Sequence, residues 1–309
     1  MSLVTGGSGF LGGLLVDHLR AAGEEVTVLG RRPVEGTKQI VADLARPSLD
    51  LGGAEFRTVY HLAGLAHVVP RGRTERELFF QINLEGTRRL LKALERSGRL
   101  PEAIVFVSTV AVYGAESGTM LDEATPRRAA DPYGASKCAA EDALREWGTK
   151  RGVRTGVVRL PLVAGRGAPG NLGAMVRALK SYRYFGVGDG AARRSMVLAS
   201  DVCRALPEVA KVGGVFHLTD GDHPSFAELE QSLSAALGKK TPRRLPLWLA
   251  RSGARAGEAW ESLSRGRAPL TTRSLTKMTS TLTFCDARAR QSFSWNPRRV
   301  LDHAAELVA

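Results

Sequence analysis

The sequence predicts an α/β protein with a doubly wound parallel sheet and a smaller C-terminal domain. Through the first half of the 309-residue chain, short apolar runs alternate with helical patterns, as they do in βαβ units. A glycine-rich turn directly follows the first apolar run, and the texture changes after Pro161. We therefore expect one domain over 1–163 and a second over most of 164–309, with a late strand at about 215–219 returning to the first.

Seven strands are predicted, because seven runs are short, apolar and rich in β-branched residues. Strands of a parallel sheet are buried on both faces, so near-continuous apolar character is expected instead of alternation. The runs at 26–29 and 104–107 fit this pattern. The predicted strands are 3–5, 26–29, 39–41, 58–61, 104–108, 155–160 and 215–219.

Helices are predicted where apolar residues recur with a helical period between the strands. The segment 225–237 also has a start signal, since Ser225 can cap the helix and Glu228 stands three residues on. The segment 239–309 predicts short helices and loops rich in arginine. The predicted helices are 10–22, 83–97, 134–150, 171–181 and 225–237.

The composition is that of a globular protein, with 43% hydrophobic and 24% charged residues. No apolar stretch is long enough for a membrane span, and the N-terminus lacks the pattern of a secretory signal. Three widely spaced cysteines form no metal or disulfide pattern, so we expect a cytoplasmic, reduced protein without a metal site.

The net charge of +13 favours anionic partners such as phosphates. The arginines are spread through the chain, and no basic tail or nucleic-acid-binding module is present. We therefore expect no nucleic-acid partner. A solvated basic surface, attraction of a phosphorylated ligand and a peripheral membrane contact all stay open.

The turn after the first strand has the spacing of a dinucleotide-binding loop. Gly6 allows a tight turn, Gly9 allows the backbone to approach a pyrophosphate, and Gly12 allows the helix to pack on the strand. Phe10 and Leu11 lie in the first turn of the following helix, whose N-terminus offers unpaired N–H groups and a positive dipole end to phosphates. These five residues are predicted to bind the cofactor.

The end of the second strand predicts which dinucleotide binds. An acidic residue there would bind the ribose hydroxyls of NAD, whereas arginine would accept the 2′-phosphate of NADP. Arg31 and Arg32 follow this strand without an acid, so NADP(H) is favoured and NAD(H) stays open. Asp43 and Leu44, after the third strand, are predicted to touch the adenine edge.

Tyr133 and Lys137 are four residues apart at the start of a predicted helix, which places them on one face. Free tyrosine, with a pKa of about 10, is a poor base at neutral pH. A neighbouring ammonium and a positive nicotinamide would lower that pKa. The phenol could then exchange a proton with a substrate hydroxyl while hydride moves.

Three further groups of residues stand where strands end or a helix begins. A hydroxyl at the end of the strand 104–108 could hold a substrate oxygen, and the backbone after 58–61 would line the cofactor. The order and spacing of all the motifs together are more specific than any one of them. The residues are Ser108 and Thr109; Leu62, Ala63 and Gly64; and Asn83.

In these motifs the chain resembles the extended short-chain dehydrogenase/reductase family, also called the NAD-dependent epimerase/dehydratase family, over about 3–237. The resemblance implies a Rossmann fold and a catalytic triad of Thr109, Tyr133 and Lys137. Gly64 is a departure, since the family usually has a second alanine there. The further residues implied at the cofactor are Leu62, Ala63, Gly64, Asn83, Ser108, Tyr133, Lys137 and Pro161.

The second half resembles sugar-nucleotide enzymes of this family. The segments around 169–172 and 193–197 are similar to those that contact the nucleotide diphosphate there, and the fork of arginine suits two phosphate oxygens. The resemblance implies a nucleoside-diphosphate sugar as substrate, in particular a UDP-sugar. The implied substrate contacts are Ser108, Thr109, Tyr133, Asn171, Leu172 and Arg194.

The residues after Thr109 limit the reaction. Dehydratases of the family typically have Asp-Glu at this point, whereas Val110 and Ala111 stand here, so 4,6-dehydration is disfavoured. A reductase exchanges a reduced cofactor, often NADPH, and an epimerase retains NAD. Arg31 and Arg32 therefore favour 4-keto reduction with the tyrosine as acid, and a UDP-sugar 4-epimerase is the alternative.

Other functions stay open. A hydroxysteroid-type reductase of the same fold would not need Asn171 and Arg194 to face a diphosphate. A non-catalytic dinucleotide sensor would not need a proton relay, so the triad disfavours it. Because the family often dimerises through the helices predicted at 83–97 and 134–150, a homodimer is a further hypothesis.

Overall fold

The computed structural model describes residues 1–70, 72–264 and 271–309. Its largest sheet has seven strands, and smaller two-stranded sheets surround it. The strands are β1 Ser2–Thr5, β2 Val26–Gly30, β3 Lys38–Val41, β4 Thr58–His61, β5 Ala103–Thr109, β6 Gly118–Leu121, β7 Arg154–Leu160, β8 Leu162–Ala164, β9 Gly186–Val187, β10 Met196–Leu198, β11 Gly214–His217, β12 Arg244–Leu245 and β13 Leu282–Phe284.

The seven-stranded sheet is parallel throughout, in the order β3-β2-β1-β4-β5-β7-β11. The chain winds outward on both sides of the pair β1 and β4, so the sheet is doubly wound. Residue Thr5 stands beside both Leu29 and His61 in this register. The carboxyl ends of these strands therefore meet at one edge, where doubly wound sheets bind ligands.

The predicted fold class and all seven predicted strands are confirmed, with ends that differ by two residues at most. The late strand β11 pairs with β7 at the edge of the main sheet, as predicted. Most of these strands are buried, whereas β3, which is the other edge strand, is partly exposed.

The five predicted helices are present, and Ser225 and Glu228 form the predicted capping box. The helices are α1 Phe10–Ala21, α2 Arg73–Phe79, α3 Glu85–Arg96, α4 Pro132–Arg151, α5 Gly170–Lys180, α6 Ala199–Val212, α7 Phe226–Ala236, α8 Leu247–Ser264, α9 Thr272–Thr279, α10 Ala287–Ser292 and α11 Ala304–Val308.

The observed helices differ from the prediction at three places. The helix predicted at 83–97 is preceded by α2 and a π-helical turn over Phe80–Leu84. Within α2 only Phe79 is buried, so the segment has no apolar periodicity that would predict a helix. Helix α6 was not predicted. Helix α8 has 18 residues, so the expectation of only short helices after residue 239 is wrong.

Each face of the main sheet is covered by one helical layer. Helices α1 and α6 pack on one face through residues such as Leu15 and Leu206, and α3 and α4 pack on the other through Leu90 and Leu144. A third core joins α5, α7 and α11. In the described parts of the chain, no helix is both long enough and apolar enough to cross a membrane.

Candidate active site

The glycine turn between β1 and α1 leaves no room for a side chain at Gly6 or Gly12. Gly6 has a φ of +75°, and a Cβ there would lie 2.8 Å from the amide nitrogen of Ala63. A Cβ on Gly12 would lie 2.1 Å from the carbonyl oxygen of Gly6. Gly9 is the N-cap of α1, and no side chain caps the first N–H groups. The turn therefore fits a pyrophosphate approached by bare backbone.

The other residues predicted at the nucleotide end lie around this turn. Arg31 and Arg32 are exposed after β2, and in the described residues neither makes an ion pair. Asp43 accepts a hydrogen bond from the Ala45 amide at 2.9 Å, within its own loop. Leu44 is 6% exposed, packs in the core under α3, and its carbonyl accepts from Arg89. Phe10 and Leu11 pack at the edges of two cores.

The triad residues stand at the end of β5 and the start of α4. Tyr133 and Thr109 share a side-chain hydrogen bond. Helix α4 begins one residue before Tyr133 and is capped by Asp131, whose carboxylate accepts from the Gly134 amide. The buried ammonium of Lys137 donates to the carbonyl of Val107 at 2.7 Å. These contacts fix both side chains against the carboxyl end of β5.

Burial controls the protonation of both groups. It raises the pKa of Tyr133 to about 12, although the hydrogen bond with Thr109 opposes this. It lowers the pKa of Lys137 to about 7, although the charge of Glu141 opposes this. Burial determines the pKa of the phenol in the protein alone, and its lowering by Lys137 together with a positive nicotinamide stays a prediction. Tyr133 is a neutral phenol at pH 7, ready to donate a proton.

Asn83 ties the two halves of the site together from the π-helical turn. Its Oδ1 accepts from the Leu65 amide at 2.7 Å, and its Nδ2 donates to the Ser136 hydroxyl at 2.9 Å. Ser136 in turn donates to the carbonyl of Tyr133. A Cβ on Gly64 would lie 2.9 Å from that Oδ1, so the departure from the family's alanine goes with this close approach.

A neutral histidine links the glycine turn to Asn83. Thr87 donates to the carbonyl of Asn83, so its hydroxyl oxygen accepts from Nε2 of His61 at 2.9 Å. The Nδ1 of His61 then accepts from the Thr5 hydroxyl at 2.7 Å, and Thr5 accepts from the Ala63 amide. Burial lowers the pKa of His61 to about 3. The prediction assigned backbone to this segment and missed the side-chain network.

Ser108 points into a second network that sequence reasoning also missed. Its hydroxyl donates to Glu141 Oε1 at 2.5 Å, and Glu141 is fully buried. Arg159, 3% exposed, binds the same carboxylate at 2.7 Å. Arg159 also donates to the Tyr113 hydroxyl, which donates to Nε2 of His217 at 2.6 Å. Ser108 thus faces away from Thr109, as successive strand residues do.

The residues predicted to bind the substrate diphosphate lie on separate parts of the fold, in α5 and in the segment before β10. Asn171 is exposed in the first turn of α5, whereas Leu172 is 4% exposed in the third core. Arg194 is half-buried, and its guanidinium donates to the Lys277 carbonyl at 2.5 Å. Pro161 lies between β7 and β8. Among the described residues, no hydrogen bond joins Asn171 to Arg194.

A cavity of about 420 Å³ lies in the C-terminal half of the chain. It is bounded by β9 and the residues after it, by the first residue of α8 and by the end of α9. The lining residues are Val187, Gly188, Asp189, Gly190, Ala192, Leu247, Met278 and Thr279.

Comparison with known proteins agrees with this geometry. The sequence model of the NAD dependent epimerase/dehydratase family matches residues 2–214. The N-acetyl-alpha-D-glucosaminyl-diphospho-ditrans,octacis-undecaprenol 4-epimerase of Escherichia coli O157:H7 is 28% identical over 249 residues, which are 78% of this chain and 73% of that protein.

Two further proteins are similar over nearly the whole chain. The 4-hydroxy-2-methyl-3-oxo-4-farnesyl-3,4-dihydroquinoline-1-oxide ketoreductase of Stigmatella aurantiaca is 29% identical over 325 aligned positions, which cover 96% of this chain and 92% of that protein. The solved structure of MoeE5 in complex with UDP-glucose and NAD matches with a TM-score of 0.77 at 25% identity, covering 99% and 97% of the two chains.

Proposed function

Because the chain belongs to the NAD dependent epimerase/dehydratase family, and is an enzyme that uses a nicotinamide dinucleotide, we propose that it reduces the 4-keto group of a nucleoside-diphosphate sugar with NADPH. A UDP-sugar is the preferred substrate class, which the likeness to MoeE5 with UDP-glucose supports. The alternative within the same site is 4-epimerisation of a UDP-sugar; the Escherichia coli relative is also named as a 4-epimerase, but of an N-acetylglucosaminyl-diphospho-undecaprenol.

The observation that carries the proposal is the arginine pair at the end of β2. Arg31 and Arg32 are exposed beside the glycine turn, and no acid follows β2 directly. Guanidinium groups suit a 2′-phosphate, whereas a carboxylate would repel it. Preference for NADPH supports a reductase, because a reductase must exchange a reduced cofactor at every turnover.

Tyr133 and Lys137 can supply the proton that reduction of a carbonyl group requires. When bound, the reduced nicotinamide supplies hydride to the carbonyl carbon. Tyr133, whose pKa burial raises to about 12, donates its phenolic proton to the carbonyl oxygen as the alcohol forms. Thr109 holds the phenol by a hydrogen bond. Lys137, with its pKa lowered to about 7, stands four residues on to stabilise and reprotonate the phenolate.

The residues beyond Thr109 disfavour dehydration. Val110 and Ala111 begin a 3₁₀ turn that ends at Tyr113, and Val112 is buried. No carboxylate therefore stands directly after Thr109 to remove the C5 proton and protonate the leaving hydroxyl, as 4,6-dehydration requires.

The test is NADPH consumption with a UDP-4-keto-6-deoxy sugar and purified protein. We expect turnover with NADPH, a loss of at least about 10²-fold in Tyr133→Phe because general acid catalysis is removed, and a weaker preference for NADPH over NADH in Arg31→Ala/Arg32→Ala. The control Arg57→Ala removes a distant surface arginine and should keep both activity and preference.

Two results would overturn this proposal. Equal turnover of the keto sugar by wild type and Tyr133→Phe would exclude the assigned acid. Interconversion of UDP-glucose and UDP-galactose by protein with retained NAD, without consumption of added NADPH, would identify the epimerase instead.

A second candidate is reduction of an apolar ketone that has no nucleotide. The relative aligned over 96% of the chain is a ketoreductase named for a farnesylated quinoline, and the Arg194 guanidinium already donates to the Lys277 carbonyl. Thermal-shift measurements separate the two candidates. Protection by UDP favours the sugar nucleotide, and protection by a prenylated quinolone without any response to UDP favours the apolar ketone.

A further inference from the structure

Four large apolar side chains are exposed in one part of the C-terminal half. The exposed fractions are 79% for Tyr182, 49% for Phe185, 69% for Trp248 and 44% for Leu249. Single exposed apolar residues are common on protein surfaces, but clusters of them mark interaction sites. They lie in residues 177–185 and 239–255, which we call the basic–aromatic face.

Backbone pairing brings the two segments of this face together. Strand β9, directly after Phe185, pairs with β12, which precedes α8. The Gly186 amide donates to the Arg243 carbonyl at 3.0 Å. The ammonium of Lys239 lies 3.5 Å from the centre of the Tyr182 ring and donates to the Leu179 carbonyl. The chain segments that carry the aromatic side chains therefore lie next to each other.

Helix α8 uses a different face for its own packing. Ala250 and Ala254 are 2% and 1% exposed, and they pack with Leu275 under the helix. Trp248 and Leu249 stand on the outer side, together with exposed arginines one turn further on. Among the described residues, the core under α8 is formed without the side chains of Trp248 and Leu249.

The charge of the face is of one sign. Residues 177–185 and 239–255 contain nine Lys or Arg and no Asp or Glu. Among the described residues, only Arg244 of these nine is ion-paired, with the nearly buried Glu230. Lys239 already donates to the Leu179 carbonyl, so the seven other cations are available to an anionic partner, with aromatic groups between them.

We propose that the basic–aromatic face docks on the surface of a bilayer containing anionic phospholipid. Trp and Tyr prefer the interface between headgroups and acyl chains, and each nearby Lys or Arg adds electrostatic attraction. Nucleic acid would satisfy the cations, but the exposed Leu249 would gain nothing from phosphates. Since Leu247 lines the cavity of about 420 Å³, docking would bring that cavity beside the membrane. This inference does not depend on the proposed reaction.

The test is co-sedimentation of the full chain with vesicles of phosphatidylcholine alone or with about 30% phosphatidylglycerol. We expect binding only to the anionic vesicles and release in about 0.5 M NaCl. Arg251→Glu/Arg255→Glu should weaken binding by at least about tenfold, because two attractive charges become repulsive. Trp248→Ser should weaken it while leaving the net charge unchanged.

The charge-matched control is Lys38→Glu/Arg57→Glu, which reverses two cations outside the face that make only exposed ion pairs. A blue shift of tryptophan emission on anionic vesicles, absent in Trp248→Phe, would place that ring in the interface. No binding to anionic vesicles, or equal weakening by the control, would overturn the proposal. Binding to duplex DNA that Trp248→Ser leaves unchanged, without vesicle binding, would assign the face to nucleic acid.

Discussion

At the scale of single residues, burial and not charge pairing determines how the candidate site titrates. Lys137 is 4% exposed, and among the described residues its ammonium has one hydrogen-bond acceptor, the Val107 carbonyl. The ring of Phe106 lies 4.1 Å from the ammonium. A mostly apolar environment disfavours the charged form, so the lysine titrates near neutral pH, where proton transfer is most useful.

Lys137 therefore makes the folded protein less stable at low pH. Its pKa falls from 10.5 to about 7 on folding, so between these values the unfolded chain binds more protons and stability rises with pH. Lys137→Met should raise the cofactor-free melting temperature at pH 6 by several degrees, with the gain shrinking between about pH 7 and 10. Calorimetry over pH checks this, with Lys92→Met as surface control. A gain independent of pH would contradict it.

A substitution at Gly64 tests how tightly the Asn83 side chain is held against the backbone of Gly64. In Gly64→Ala the new methyl group would lie 2.9 Å from Asn83 Oδ1, and the buried amide is held by hydrogen bonds to Leu65 and Ser136. We expect a loss of about 1–2 kcal/mol in the free energy of unfolding, because a buried hydrogen bond must lengthen or break.

The matched control is Gly253→Ala, in the middle of α8, where a Cβ meets nothing within 4 Å. It should raise stability by about 0.5–1 kcal/mol, because alanine is the better helix former. Chemical denaturation measures both variants. If Gly64→Ala left the free energy of unfolding unchanged, the Asn83 side chain could shift away from the new methyl group without cost, which would contradict the prediction.

Sequence patterns identified the residues whose chemistry is unusual for their position, such as Tyr133 with Lys137 and the glycines of the first turn. They did not identify Thr5 or Thr87, because a threonine becomes part of a relay only when strands and helices juxtapose it with His61. They also did not reveal that Ser108 faces Glu141. Which face of β5 each hydroxyl occupies depends on register, which a single sequence does not state.

At the scale of elements, a buried ion pair joins α4 to β7. Glu141 and Arg159 are 0% and 3% exposed, and their closest charged atoms are 2.7 Å apart. The sequence could predict both elements from periodicity. It could not predict this pairing, because a glutamate in a helix is usually on the solvated face.

Breaking this buried ion pair should lower the free energy of unfolding more than breaking an exposed ion pair on the same helix. Glu141→Leu should lower the free energy of unfolding by about 3–5 kcal/mol, because it leaves the buried Arg159 without its carboxylate. Arg159→Leu should cost less, because Arg127 still lies 3.4 Å from the Glu141 carboxylate. The double variant should lose at least about 2 kcal/mol less than the sum of the singles. The pair Glu146 and Lys150, exposed on the same helix, is the control and should contribute less than about 1 kcal/mol. Additive losses would contradict this interpretation.

At the scale of the whole molecule, the C-terminal segment is part of the first core. Trp295 is 7% exposed within the cluster that also holds Leu15 and Phe216. Arg298 binds the fully buried carboxylate of Asp201 in α6 at 2.7 Å. The arginine-rich composition of this region suggested a separate peripheral unit. Its buried contacts are made by a few residues that composition does not reveal.

The chain should therefore unfold as one cooperative unit. Trp295 donates to the Thr219 carbonyl at 3.2 Å and to Asp286 at 3.0 Å, and its ring fills the core beside Phe293. Trp295→Ala should lower the free energy of unfolding by about 3–5 kcal/mol through cavity formation. Trp295→Phe, which keeps much of the volume, should lose less. Far-UV circular dichroism and tryptophan fluorescence should report coincident transitions in both variants. Two separated transitions, with only one shifted by Trp295→Ala, would show instead that the C-terminal half unfolds independently of the seven-stranded sheet.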